Sequence, residues 1–171
     1  VTWHSDGSFF LEKLFTKNKK QTLAGLFHDI ATPVFKHCID FMNGDYKKQE
    51  STEELTTKII SESKEIMKLL NRDKIEVPEV ADYHIYPIAD NDTPKLSADR
   101  LEYTFSNGFY FKEVWDVKEV SKIYKDIEIQ QNEEGIEELG FKNKEIAEQF
   151  IDGARKLWPL WVSKEDKLSM Q

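Results

Sequence analysis

Four short segments of this chain hold most of the side chains that can bind a metal ion or carry a proton. They are TWHSDG over 2–7, LFHDIATPVFKHCID over 26–40, GDYKKQESTEE over 44–54 and YPIADNDTPKLSADRLEYTF over 86–105. The second places His28, Asp29, His37, Cys38 and Asp40 in a stretch that otherwise reads as core helix. Asp99 raises the same question, since Leu96, Ala98, Leu101, Tyr103 and Phe105 surround it. A carboxylate on an apolar helical face needs a cation or hydrogen-bond donors, because burying it unpaired is costly. Lys95 or Arg100 is one answer for Asp99, and a metal ion is the other. His28-Asp29 follows Leu23, Leu26 and Phe27 and poses the problem again. One cation bound by His4, His28, Asp29 and Asp99 satisfies every member of the set. Mixed imidazole and carboxylate ligands suit Mn, Fe, Co, Ni or Zn better than Ca. Buried ion pairs among the same residues are the competing explanation.

Other conspicuous residues have plainer readings. Cys38 is the one cysteine, which rules out an internal disulfide and fits a small buried apolar residue in a reducing cytoplasm. His84, in DYHIYP, reads as a hydrogen-bonded structural histidine. Asp90-Asn91-Asp92 looks like the start of a calcium loop but lacks the following Gly and the distal Glu, so an Asx turn before Pro94 explains it more cheaply. Trp158 and Trp161 share a helical face and serve either core packing or a contact between copies in a homo-oligomer.

The elements that must position these groups are mostly helical. The chain has 171 residues, 39 % apolar and 12 % aromatic, which is enough for one domain with a sizeable core. A net charge of -8 argues against nucleic acid or an anionic membrane as the main partner. No apolar run approaches the ~20 residues of a membrane span, and no signal-like segment follows Val1, so a cytoplasmic location is expected. Apolar residues at helical spacing predict one helix over 51–74, opened by the Ser51/Glu54 capping box. Asp116 and Glu119 mark a similar start before VKEVSKIYKDI, and Lys144–Trp161 repeats the pattern until Pro159, which should kink or break it. Further helices are expected over 8–16, 18–31, 33–43 and 95–107, with loops over 71–94 and 128–143. YTFSNGFYF and IEIQ are the two candidate strands. The expected fold is all-α and a single domain over 1–171.

FHDIATPVFKH resembles the signature of the HD-domain metal-dependent phosphohydrolases, nearest the branch with the dGTP triphosphohydrolases. The matching positions are His4 in WHS, His28 and Asp29 in FHD, Phe35 and His37 in FKH, and Asp99 with Tyr103 in ADRLEY. The resemblance covers about residues 2–107 and leaves a C-terminal helical extension over about 108–171. It implies an HD-domain helical bundle holding a divalent transition metal on His4, His28, Asp29 and Asp99. The implied reaction is hydrolysis of a phosphate ester or anhydride, with a small phosphorylated molecule such as a nucleotide as substrate. The metal would lower the pKa of bound water and polarise a phosphoryl oxygen. In that scheme Asp29 belongs to the catalytic centre, and Asp40 is the base or water-orienter. Lys95, Arg100 and Tyr103 lie near the phosphates, with Thr32, His37 and Glu50 around them and His37 mainly bracing the helices. Two departures thin the acid–base set: Thr32 stands where those enzymes carry a His, and Gln49 replaces the His before Glu50. A simpler esterase, another nucleotide substrate, or a catalytically weakened nucleotide- or metal-binding regulatory module therefore stay open.

Overall fold

The computed structural model describes residues 15–33, 39, 42, 44, 55–91, 95–110 and 113–162, which are mostly helical. Nearly all of the helices expected over 8–16 and 33–43 lies outside them, as do the Ser51/Glu54 capping box, Cys38, and the side chains of Trp158 and Trp161. Helix α1, Lys19–Phe27, starts where the Asn18 side chain accepts the Lys20 and Gln21 amides. The single helix expected over 51–74 is instead two among the described residues, α2 (Leu55–Glu62) and α3 (Lys64–Asp73). Ser63 causes the break: its hydroxyl accepts the Ile66 amide and caps α3. The break turns Ile60 and Leu70 onto one core. Lys74 then closes α3 in the left-handed conformation, φ 56°, as its amide and that of Ile75 satisfy the Asn71 and Leu70 carbonyls.

The loop expected over 71–94 holds a short helix α4, Pro78–Ala81, and a 3-10 turn over Tyr83–Ile85. Helix α5, Ala98–Tyr110, absorbs YTFSNGFYF, which is therefore no strand. Its Leu101, Thr104, Phe105 and Gly108 are buried at helical spacing, and that burial outweighs the strand preference of aromatic residues. Helix α6, Val117–Asp126, begins with the anticipated capping box between Asp116 and Glu119. IEIQ does form a strand, β1 (Ile127–Gln131), paired antiparallel with β2 (Glu137–Phe141). The all-α expectation thus gives way to a mostly helical fold with a two-stranded sheet. The turn that makes the hairpin was hidden in NEEGI: Asn132 Oδ1 accepts the Glu134 and Ile136 amides, and Gly135 takes φ 77°. Helix α7, Lys144–Val162, continues through Pro159, which removes one intrahelical donor in its last turn but does not end it as expected.

Two apolar clusters organise these elements. One joins Ile60, Leu70, Ile75 and Val80 with Leu23 and Phe27 of α1. The other joins Leu101, Phe105, Trp115, Ile123, Leu139, Phe150 and Leu157 from α5, α6, the hairpin and α7. Trp115 lies flat against Phe150, centroids 5.8 Å apart. A Cβ on Gly108 or Gly153 would come within 2.5 or 2.0 Å of its ring, so both positions must be glycine for α5 and α7 to grip it. The chain from 82 to 91 carries the backbone from the first cluster to the second. It is stitched to the start of α5 by the Ala98 amide on the Ile88 carbonyl (2.8 Å) and by Asn91 Nδ2 on the Pro87 and Leu96 carbonyls. Leu96 in turn bridges to Leu139 of β2.

Gly153→Ala is expected to cost about 1–3 kcal/mol by overpacking, read as a lower urea midpoint at unchanged slope. A second expectation concerns Asp126, whose carboxylate accepts from the backbone and side chain of Asn143 at the start of α7. Burial raises its pKa, but the Asn143 donors and the Lys142 charge outweigh that and hold it below the usual range. A depressed folded-state pKa stabilises the fold above the unfolded value of about 4, and this is lost as pH falls. Urea unfolding of wild type and Asp126→Asn should therefore differ at neutral pH and converge as pH is lowered.

Candidate metal centre

His28 sits directly after α1, where α1 meets the 3-10 turn and the start of α5. Its ring is buried. Nδ1 lies 2.6 Å from the Gly25 carbonyl, and a carbonyl only accepts, so Nδ1 carries a proton. Nε2 faces two carboxylates, 3.4 Å from Asp29 Oδ2 and 3.4 Å from Asp99 Oδ1. Burial lowers the His28 pKa, but the hydrogen bond to Asp99 and the Asp29 and Asp99 charges overcome it, and the net shift is upward. Asp99 occupies the first turn of α5, whose start is fixed by buried Ser97 accepting the Arg100 amide. The contact lies where the two apolar clusters approach in sequence, His28 following Phe27 of the first and Asp99 following Ala98 of the second.

His28, Asp29 and Asp99 carry the donor types expected for a transition metal. A ligating imidazole usually gives its other N–H to a backbone carbonyl, as Nδ1 does here. Neighbouring donors bound about 2.1 Å from one ion lie roughly 3–3.4 Å apart, the spacing of both pairs. Among the described residues no group of three or more His, Cys, Asp or Glu side chains is placed to hold a metal ion; the two pairs share His28. His4, the fourth expected ligand, lies outside the described residues, together with His37, Asp40 and Glu50.

The remaining expected residues take different places. The Thr32 hydroxyl donates to Asp29 Oδ1 at 2.8 Å, so it orients the carboxylate. Arg100 is committed to its own loop: Nη1 donates to Asn91 Oδ1 and the Lys95 carbonyl, and Nη2 to Asp90 Oδ1 and the Asn91 carbonyl. These bonds brace Asp90, Asn91 and Lys95 against the first turn of α5. Lys95 is exposed. Tyr103 is half-buried one turn beyond Asp99; burial and the Asp99 charge push its pKa up to about 12.

A cleft of about 210 Å³ opens beside His28, lined also by Thr56, Thr57, Asp82, Tyr83 and His84. The Tyr83 ring packs edge-on to His28 with centroids 5.1 Å apart and lies 4.2 Å from the His84 ring. Sequence reasoning did not find Thr56, Thr57 or Tyr83. No periodic pattern places them, and only the density of ring side chains in DYHIYP hinted at a site. A larger groove of about 610 Å³ between α5 and α6 is lined mostly by apolar residues such as Phe109 and Val120. It lacks the convergent polar groups of a catalytic site. Comparison of the chain with protein-family models, with curated proteins and with solved structures finds no match in any of the three.

Arg100→Ala is expected to lower stability by about 2 kcal/mol, because it strands the acceptors of the 90–95 loop. Arg100→Lys should recover only part of this, a point charge being unable to serve four acceptors. Urea unfolding checks both.

Proposed function

We propose that the chain is an HD-type metal-dependent phosphohydrolase acting on a phosphate ester or anhydride of a small phosphorylated molecule, such as a nucleotide. The observation that carries this reading is the buried His28 ring, with Nδ1 held by a carbonyl and Nε2 at 3.4 Å from both Asp29 and Asp99. His28, Asp29 and Asp99 would hold a Mn, Fe, Co, Ni or Zn ion together with His4. When bound, such an ion supplies Lewis acidity toward a phosphoryl oxygen and a water of lowered pKa. Thr32 keeps Asp29 in place, and Arg100 holds the loop that delivers Asp99. Asp40 keeps its proposed role as base or water-orienter, and Lys95 and Tyr103 theirs near the phosphates. Among the described residues no helix is long and apolar enough to cross a membrane.

Thr32 also favours a second reading, a nucleotide- or metal-binding regulatory module with weakened chemistry. Its hydroxyl is engaged with Asp29 where the resembled enzymes carry an imidazole, so it supplies no proton near neutral pH. Elemental analysis of the purified chain beside His28→Ala/Asp29→Ala tests the shared premise. About one equivalent of transition metal is expected, absent from the double variant. No metal in either, even after incubation with Mn²⁺ or Fe²⁺, would leave only buried ion pairs and remove both readings.

A further inference from the structure

Resting on the hydrolase reading above, we propose that His84 is the proton donor to the leaving group, replacing the imidazoles absent at positions 32 and 49. The chain has four histidines. Among the described residues, His84 is the imidazole besides His28 that lines the cleft. Tyr83 packs against both rings, with centroid separations of 5.1 Å to His28 and 4.2 Å to His84. An ester whose phosphate is bound at His28 can therefore extend its leaving group along the cleft toward His84.

The surroundings of His84 suit a donor. Nδ1 is 3.2 Å from Asp82 Oδ1, and that oxygen also accepts the His84 amide at 3.0 Å, which fixes the carboxylate. Nε2 is 3.9 Å from Asp90 Oδ2, and the other Asp90 oxygen accepts from Arg100 at 3.2 Å. Two carboxylates thus flank the ring, one at each nitrogen. Asp82 and Asp90 are positioning residues, the second anchored through Arg100 to the helix that bears Asp99. The ring is 44 % exposed at its side chain, so proton exchange with solvent is open.

The chemistry needs such a group. As the water oxygen bonds to phosphorus, the bond from phosphorus to the ester oxygen breaks and its electron pair stays on that oxygen. The oxygen takes the Nε2 proton of His84 and leaves as an alcohol. The proton lost by the attacking water restores the imidazolium through solvent, so the sum is ester plus water to alcohol plus phosphate. Imidazole is the side chain suited to this transfer near neutral pH.

Two substrates separate this role from a structural one. 4-Nitrophenyl phosphate expels an anion that needs no proton, and glycerol 2-phosphate expels an alkoxide that does. With the full chain and Mn²⁺, His84→Asn is expected to lower kcat for glycerol 2-phosphate by about 100-fold or more, with KM little changed. Hydrolysis of 4-nitrophenyl phosphate should change by less than about threefold. Asp82→Asn should show a smaller loss confined to the same substrate. Imidazole ¹⁵N NMR of the metal-free chain gives a separate readout: inorganic phosphate should move the His84 Nε2 resonance, and an unmoved resonance counts against the proposal. Equal losses on both esters, or none, overturn the donor and leave the hydrolase reading standing. A wild-type chain that holds metal yet hydrolyses neither ester overturns both.

Discussion

Burying an imidazole beside two carboxylates is the constraint around which this fold is arranged. His28 is buried, and its Nε2 faces acidic oxygens delivered by different parts of the chain. Three polar groups in such a place are tolerable only when charge and hydrogen bonds balance. A proton on Nε2 achieves that balance, and so does a cation. The Gly25 carbonyl commits Nδ1 in either case, so the ring cannot turn away. The site is therefore preorganised by backbone from α1 before any ligand arrives.

Asp99 is held with equal care from the other side. It lies in the first turn of α5, whose start is capped by Ser97 and laced to residues 88 and 89 by main-chain bonds. Arg100 reinforces the lacing by gripping the loop that precedes it. The charged residue that looks most like a substrate ligand is thus a strut. Under the hydrolase proposal such a strut would matter, since misplacing a reacting group by about 1 Å can cost about 100-fold in rate.

Much of this was legible in the sequence, for reasons that differ by element. α6 and α7 announced themselves through a capping box and an apolar stripe, both local signals. The His28–Asp29–Asp99 grouping was legible as a chemical conflict, because acidic residues stood inside apolar patterns. Ser63 was overlooked because a serine within an apolar stripe looks like its polar face, and only tertiary packing shows that two helices meet there. The second strand escaped because its turn depends on the Asn132 side chain bonding two amides, an effect that periodicity does not capture. YTFSNGFYF misled through composition, because its aromatics look like a strand while the buried positions, Leu101, Thr104, Phe105 and Gly108, follow helical spacing. The Arg100 bonds to Asp90, Asn91 and Lys95 were not legible, because a guanidinium beside an acidic residue suits a ring of oxygens and a phosphate equally well.

The bridge from Leu96 to Leu139 has a consequence for biosynthesis. Every side chain expected to hold metal precedes β2 in the chain. The strand that steadies Leu96, three positions before Asp99, emerges well after them. A nascent chain thus carries the ligands before it carries their support. The hairpin is then less an appendage than a late support, and the order of synthesis delays the bracing of Asp99 until β2 has emerged.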